Sequence, residues 1–458
     1  MKIQIGKFPS SEERERITTL RKYEKLYDNE AQGVLGLHEI IKKQYKNVSD
    51  LVYLAHSIPS TISSFYGDFV QGNVDKMIIS ALGGKEEDDK FIDDVVENND
   101  IKEKIYDWAD DQSEFGFFVL LGRINEDNKY IVERVPQDQY FPQQDGSVIF
   151  ATYKKDPDDF EGKRLLCFTQ NYKPENKRVV IEREAWTADE RGVIKEKYDF
   201  NKILEILGED YKEIETLELD ELPIRQIDNG KRGKYGFGKS DYANIMPQLA
   251  EINERTTHIS TVLLKNLDAK MVMSKDNFDK DGKVIQQEVY VMENKDEVKP
   301  EYIVNQNHLI VETKEHIIGE MKFISWITAV PMFELLKSAM PERVESLRIQ
   351  LFSSIRKTDT KRAKIRKGLS DMIKIGFKLS GKTFEGYVNI VFSDVLPTDD
   401  LINAQIEETK IRIGTTSKRA SMKRTENYSD EEVDAEMEEI KKENAIAGIG
   451  GNGTPPTL

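Results

Sequence analysis

Residues 233–240 spell GKYGFGKS, which satisfies the phosphate-loop pattern of two glycines five positions apart followed by lysine and serine. In such a loop the backbone N–H groups cradle phosphates, the lysine meets the terminal phosphates and the hydroxyl holds magnesium. Lys239 and Ser240 stand at those positions, and Asp394 in VNIVFSD is the candidate second acid of such a site. A second constellation, Asn277, Asp279, Asp281, Gly282 and Glu288, has the spacing of a calcium loop, with Val284 at its usual apolar position. His308, Glu312 and His316 would share one helix face at four-residue steps. A last feature is electrostatic. Between 353 and 378 stand nine basic residues (Arg356, Lys357, Lys361, Arg362, Lys364, Arg366, Lys367, Lys374 and Lys378) against Asp359 and Asp371.

What these groups can do depends on the elements that carry them. The segment before the phosphate-loop pattern, LPIRQIDN, is polar where a buried parallel strand would be apolar. No run of alternating strands and helices surrounds it, and Pro247 follows soon after. The pattern therefore reads as a glycine hinge before a helix, containing Gly236, Gly238, Ser240 and Asp241, with a phosphate-loop NTPase as the alternative. EVYVME, which follows the calcium-like spacing, reads as a strand rather than an exit helix, so an Asp-Gly turn between strands is expected. HLIVE is also strand-like, and two histidines eight apart make no standard zinc pattern. The basic run is either a solvated helix face or a surface that meets DNA. No serine, histidine and acid set stands out, and neither an enzyme nor a cofactor is expected.

Residues 11–110 read as helical, with Ser49 and Asp100 as caps. From 114 to 219 short runs rich in Val, Ile, Phe and Tyr alternate with turns such as NEDN at 125–128 and DERG at 189–192, which predicts an antiparallel meander. A helix is expected over 240–267, with Pro247 kinking it or marking its true first turn. A strand-bearing insert follows over 268–311, then a short helix over 314–327. After a break at Pro331 and a linker ending at Pro341, one long helix is expected over 342–379, with Val344, Leu347, Leu351, Ile355, Ile365, Leu369 and Met372 as its apolar stripe. A strand over 387–392 precedes broken helices and a glycine-rich tail, disordered by composition.

The chain has 458 residues, enough for two or three units with cores of their own. Its longest notable uncharged run, 323–333, has 11 residues, whereas a spanning helix needs about 20 apolar ones. The N-terminus turns charged where a signal peptide would turn apolar. One cysteine, Cys167, excludes an intramolecular disulfide and fits an intracellular origin. The net charge of -16 argues against a general nucleic-acid coat and permits a surface that repels DNA. The acids concentrate near the end, with nine of them against Lys441 and Lys442 between 426 and 444.

Five segments, in order, resemble portal proteins of tailed double-stranded DNA bacteriophages. SEFGFFVLLGRINEDNKYIVERVPQDQYFPQQD is similar to the wing segment, with its proline-bearing element at Val135, Pro136, Tyr140, Phe141 and Pro142. The stretch from LPIRQIDN to AKMVM is similar to the G-x-S-D hinge and stem helix, which absorbs the phosphate-loop pattern and matches Gly238, Ser240 and Asp241. FISWITAVPMFEL resembles the second stem helix before the tunnel loop, and the basic helix takes the place of the long wing helix. VNIVFSDVLPTDD and the acidic segment after it resemble the C-terminal elements. The family's S-G-x-A element has as its counterpart Lys337, Ser338 and Ala339, or else Glu345, Ser346 and Leu347.

The resemblance implies an α+β, helix-rich, elongated subunit that forms a ring around a central channel. In it 1–238 would be wing, 239–267 stem, 268–311 clip, 312–327 second stem helix and 328–342 tunnel loop. The long wing helix and strand would occupy 343–400, the crown 401–446 and the tail 447–458. The ring would be dodecameric in the virion, with a thirteen-membered ring as the alternative in isolation, at one capsid vertex, with no membrane contact. Its partners would be double-stranded DNA, the terminase large subunit, scaffolding and major capsid proteins, and a head-completion adaptor. Lys337, Ser338, Ala339, Met340, Pro341, Glu342 and Arg343 would lie along the DNA channel. Asp279, Asp281, Gly282, Glu288 and Tyr290 would belong to the clip's docking surface. A non-annular coiled-coil scaffold is the remaining alternative.

Overall fold

A computed structural model describes residues 3–36, 53–159, 163–208, 210–230, 233, 236–267, 270–272, 301–303, 308–332, 349, 351–394 and scattered positions between 408 and 440. The first helix, α1 (Ser11–Tyr27), starts with a reciprocal cap. The Ser10 hydroxyl accepts from the Glu13 N–H, and the Glu13 carboxylate accepts from the Ser10 N–H. Next come α2 (Ala31–Leu35) and α3 (Ile58–Gln71), with Pro59 in its first turn. The expectation of helix throughout 11–110 fails at β1 (Ile78–Leu82), which pairs antiparallel with the distant β13 (Tyr387–Val391). Its short run IISAL carries no helix-excluding signal. Helices α4 (Glu86–Asn98) and α5 (Ile101–Glu114) follow. Asp100 precedes α5, but it adopts a left-handed conformation and makes no side-chain cap bond. Ser49 lies outside the described residues.

The predicted meander is present and divides in two. Strands β2 (Phe117–Ile124), β3 (Tyr130–Val135) and β10 (Ile224–Asp228) form a three-stranded antiparallel sheet in the order β10-β2-β3. Strands β4 (Tyr140–Pro142), β5 (Val148–Lys155), β6 (Leu165–Glu175), β7 (Arg178–Ala188) and β8 (Ile194–Lys197) run as consecutive antiparallel neighbours, with β9 (Ile214–Leu217) also on β7. Two details differ from the sequence reading. PIRQID, beyond the end of the predicted meander at 219, supplies β10, whose Ile224 and Ile227 are buried. The stretch after β8, expected as sheet, holds α6 (Phe200–Leu207), capped by Asp199 and ended by Gly208 at φ +71°.

Helix α7 (Met246–Leu267) begins later than 240, so Pro247 marks its first turn rather than a kink. Helix α8 (His308–Thr328) begins earlier than expected, because HLIVE is helical here. The two pack together as a hairpin, and the short strands β11 (Lys270–Val272) and β12 (Glu301–Ile303) pair beyond their far ends. The long helix α9 (Phe352–Leu379) has 28 residues, about 42 Å at 1.5 Å per residue. The part expected over 342–348 lies outside the described residues. Ile365, Leu369 and Met372 of α9 enter the largest core together with α4, α5 and the three-stranded sheet. A separate core joins Ile58, Ile62 and Tyr66 of α3 to Tyr242, Ile245, Leu249 and Ile252, and to Ile324 of α8. The hairpin is therefore packed against the body at its base.

Candidate functional site

Three lengths of chain meet where the hairpin leaves the body. The end of α5 brings Ser113 and Gly116, the end of β10 brings Asp228 and Asn229, and the segment before α7 brings Gly238, Ser240 and Asp241. Gly116, at φ +87°, and Gly238 touch backbone to backbone, so a side chain on either would strike the other's carbonyl. The Gly116 carbonyl accepts from the Asn229 N–H at 2.7 Å, and the Asp228 carboxylate accepts from the Gly238 N–H at 3.0 Å. Asp241 sits at the centre, its side chain 7% exposed. Its Oδ2 accepts from the Ser113 hydroxyl at 2.7 Å and its Oδ1 from the Asn229 amide at 3.0 Å. Its N–H donates to the Ser113 carbonyl at 2.9 Å.

Two lysines of α9 complete the arrangement. Lys357 Nζ lies 2.9 Å from Oδ1 and Lys361 Nζ 3.2 Å from Oδ2 of Asp241. Burial alone would raise the Asp241 pKa; Lys361 and Lys357, with hydrogen bonds from Lys357 and Ser113, outweigh it and hold the carboxyl well below the usual range. Burial pulls Lys361 down to about 8 against the attraction of Asp241. Lys357 also donates to the Thr328 carbonyl at 2.9 Å, at the end of α8. One side chain thus holds both roots of the hairpin. Tyr66 of α3 lies under both ammonium groups at 4.8 and 4.7 Å and donates to the same carbonyl. The Ser354 hydroxyl adds a bond to the Ala329 carbonyl at 2.5 Å.

This geometry corrects the reading of the basic run as a solvated or DNA-facing surface. Lys361 is 1% exposed and Arg362 8%. Arg362 donates to the carbonyls of Val70 and Ser393, Arg366 to that of Ile390 and Lys364 to that of Gly230. Lys378 pairs with Asp220 and Glu221 at 2.8 and 2.7 Å. Most of the run therefore fastens α9 to the chain around it. Arg356 and Lys367 remain exposed.

Beside Asp241, the last turn of α5 buries three carboxyl groups. Burial, reinforced by Asp111, pushes Asp110 up to about 7, against a hydrogen bond from Tyr27 and the charge of Lys361. Burial raises Asp111 to about 6 although Arg134 lies 2.7 Å away. Glu114 reaches about 9 through burial and the neighbouring charges of Asp111, Asp110, Glu24 and Asp28.

The hinge residues proposed from sequence do come together, but not as a phosphate cradle. The Gly238 N–H already donates to a carboxylate, the Tyr242 N–H to the Ser240 hydroxyl and the Ala243 N–H to the Ser240 carbonyl. The Ser240 hydroxyl turns to the Ser113 carbonyl at 3.3 Å, and Lys239 bonds Asn244. The strand before the loop is an antiparallel edge, not the buried parallel strand that such a site needs. Gly236, at φ +80°, forms a turn whose carbonyl accepts from Gln226 at 3.1 Å. His316 reaches Glu251 on α7 at 3.3 Å and Glu320 at 3.8 Å, and among the described residues no group of His, Cys, Asp and Glu has the makings of a metal site. The clip positions Asp279, Asp281, Gly282, Glu288 and Tyr290, and the tunnel positions from Lys337 to Arg343, lie outside the described residues. Cys167 is buried, its thiol pushed up to about 12 by burial.

Sequence reasoning missed Ser113, Asn229, Tyr66 and the role of Lys357. One signal was present: Lys361 falls four residues before Ile365 on the stripe that continues through Leu369, so it occupies a core position.

A family model described as "Phage portal protein, SPP1 Gp6-like" matches residues 8–447. No match was found among curated proteins. Among solved structures, the chain is similar to one titled "Neck of native GTA particle computed with C12 symmetry", at 10% identity and a TM-score of 0.43, covering 81% of this chain and 89% of that one.

Proposed function

The chain belongs to the phage portal protein family, SPP1 Gp6-like, and on that premise we propose that it closes into a ring at one capsid vertex and forms the channel for DNA packaging and ejection. In this reading α7 and α8 are the stem, and the insert between them is the clip, shortened to 268–307 by the helical start at His308. The clip docks the terminase motor and later the head-completion adaptor. The segment 329–342 lines the channel, 1–238 and α9 with β13 form the wing, which meets scaffolding and capsid proteins, and 401–446 form the crown. The observation that carries the proposal is the hairpin itself, bracketing a small insert and held at both roots by Lys357.

The mechanism is non-enzymatic. A net charge of -16 keeps phosphates from adhering to the channel wall, and a few bases such as Lys337 and Arg343 give weak, sequence-independent and salt-sensitive contacts. ATP hydrolysis is the motor's task. The rigid base matters because a channel wall must keep its bore while DNA moves through it. Replacing 337–342 by a Gly/Ser segment of equal length should abolish DNA packaging in vitro while rings still form. Variants that fail only by not assembling, or that package normally, would contradict the channel assignment.

A further inference from the structure

An unpaired strand edge offers its N–H and C=O groups to other chains, and side chains close several such edges in this fold. On β3, the Asn99 amide donates to the Tyr130 carbonyl at 3.0 Å, and its oxygen accepts from the Val132 N–H at 2.8 Å. On β13, Arg366 donates to the Ile390 carbonyl at 2.8 Å. On β1, the Asp89 carboxylate accepts from the Ala81 N–H at 2.6 Å. Ile79 stands two residues before Ala81, so its N–H and C=O point to the same outer edge of β1. Its register partner is Ile390, whose carbonyl is likewise turned outward, as in a pair that exchanges no ladder bonds. Among the described residues, neither backbone group of Ile79 has a hydrogen-bond partner.

Both groups open on a groove of about 470 Å³ between β1 and the corner from α4 to α5. Met77 and Val96 line it together with the carboxylates of Asp93, Glu97, Asp100 and Glu103, against Lys102 as the ammonium among its lining residues. Burial and the neighbouring Asp89, Glu97 and Asp94 raise the Asp93 pKa against the pull of Lys102, so the groove is short of positive charge. Ile79 belongs to the main core with Val96, whereas Ile78 faces outward, 52% exposed, beside its partner Val391 at 43%. We propose that this edge takes up an extended, basic segment of a partner protein as an additional strand. Only an antiparallel strand meets both groups of Ile79 with a single residue. Side chains alternate across a strand, so that residue directs its side chain past Val96 towards Asp93 and Glu97, and is Lys or Arg. Its two neighbours lie beside Ile78 and are apolar. Like charge keeps DNA out of the groove. None of this depends on ring closure.

The probe is a fluorescently labelled heptapeptide of alternating valine and lysine, blocked at both ends and titrated into the full chain. Anisotropy should show saturable binding, weakened roughly tenfold when the lysine amides are N-methylated and as much when glutamate replaces lysine. Hydrogen exchange at the Ile79 amide should slow on binding, while that of Ser80, whose N–H faces β13, stays unchanged. Asp93→Asn combined with Glu97→Gln should weaken binding roughly tenfold. It should not lower the melting temperature, because both side chains are exposed and each repels the other. Absence of saturable binding overturns the proposal, as does binding that the double variant leaves unaltered. Binding indifferent to N-methylation means attraction by charge alone and overturns the strand pairing. Self-association of the chain that the peptide abolishes makes a second copy the occupant and overturns the partner. Each of these failures leaves the portal reading standing.

Discussion

Asp241 is the residue whose charge the hinge is built around. With Asp241→Ala, Lys361 stays buried without its counter-ion, and removing one partner of a buried pair costs about 3–5 kcal/mol. Urea denaturation of the monomeric chain should show that loss, and Asp241→Leu combined with Lys361→Met should recover most of it, because a neutral apolar pair leaves no buried charge. Equal destabilisation in single and double variants would mean that the two residues do not act together. The α5 carboxyl groups carry a separate prediction. Asp110 and Glu114 titrate higher in the folded chain than in an unfolded one, so the folded state binds more protons above about pH 4. Their contribution is complete below that pH and is lost as pH rises through about 7 for Asp110 and about 9 for Glu114. Glu114→Gln should therefore raise stability at pH 8 by roughly 1–2 kcal/mol and change little at pH 4, measured by denaturation at the two pH values. At this scale the sequence was partly legible. Gly238, Ser240 and Asp241 stood out through a motif, and Lys361 was visible from its register with Ile365. Ser113 and Asn229 were not, because single polar residues at element ends become site residues only when distant chain folds against them.

Among the elements, α9 decides how firmly the hairpin is held. Lys357 joins Asp241, before α7, to Thr328, at the end of α8, so Lys357→Met should loosen both roots together. Hydrogen exchange should show protection falling roughly tenfold, about 1.4 kcal/mol, at the first turn of α7 and the last of α8, with β5 to β7 unchanged. A uniform change would point to global destabilisation instead. The elements legible in advance were those with a strong period: the meander, the hairpin helices and α9. Three of the failures share one cause. IISAL, PIRQID and HLIVE are too short for their period to decide, and tertiary pairing or continuity with a neighbouring helix decides for them. The basic run misled for a different reason: charge patterning describes a solvated helix well, and α9 is largely enclosed.

For the whole molecule, membership of the portal family brings together features that the monomer leaves unexplained: a hairpin clamped at its base, an exposed aromatic block (Phe323 and Trp326) on one side of it and an acidic chain most of whose densest basic run bonds within the chain. The family resemblance was legible because five weak segments occur in order, although each alone is common. The assembly was not, since no periodicity within one chain encodes a rotation between copies. The most direct test is cryo-electron microscopy of the purified, unaltered chain. The account predicts a closed annulus of twelve or thirteen copies whose hole is lined by α7–α8 hairpins. Particles that stay monomeric, or rings in which the hairpins point away from the hole, would contradict it.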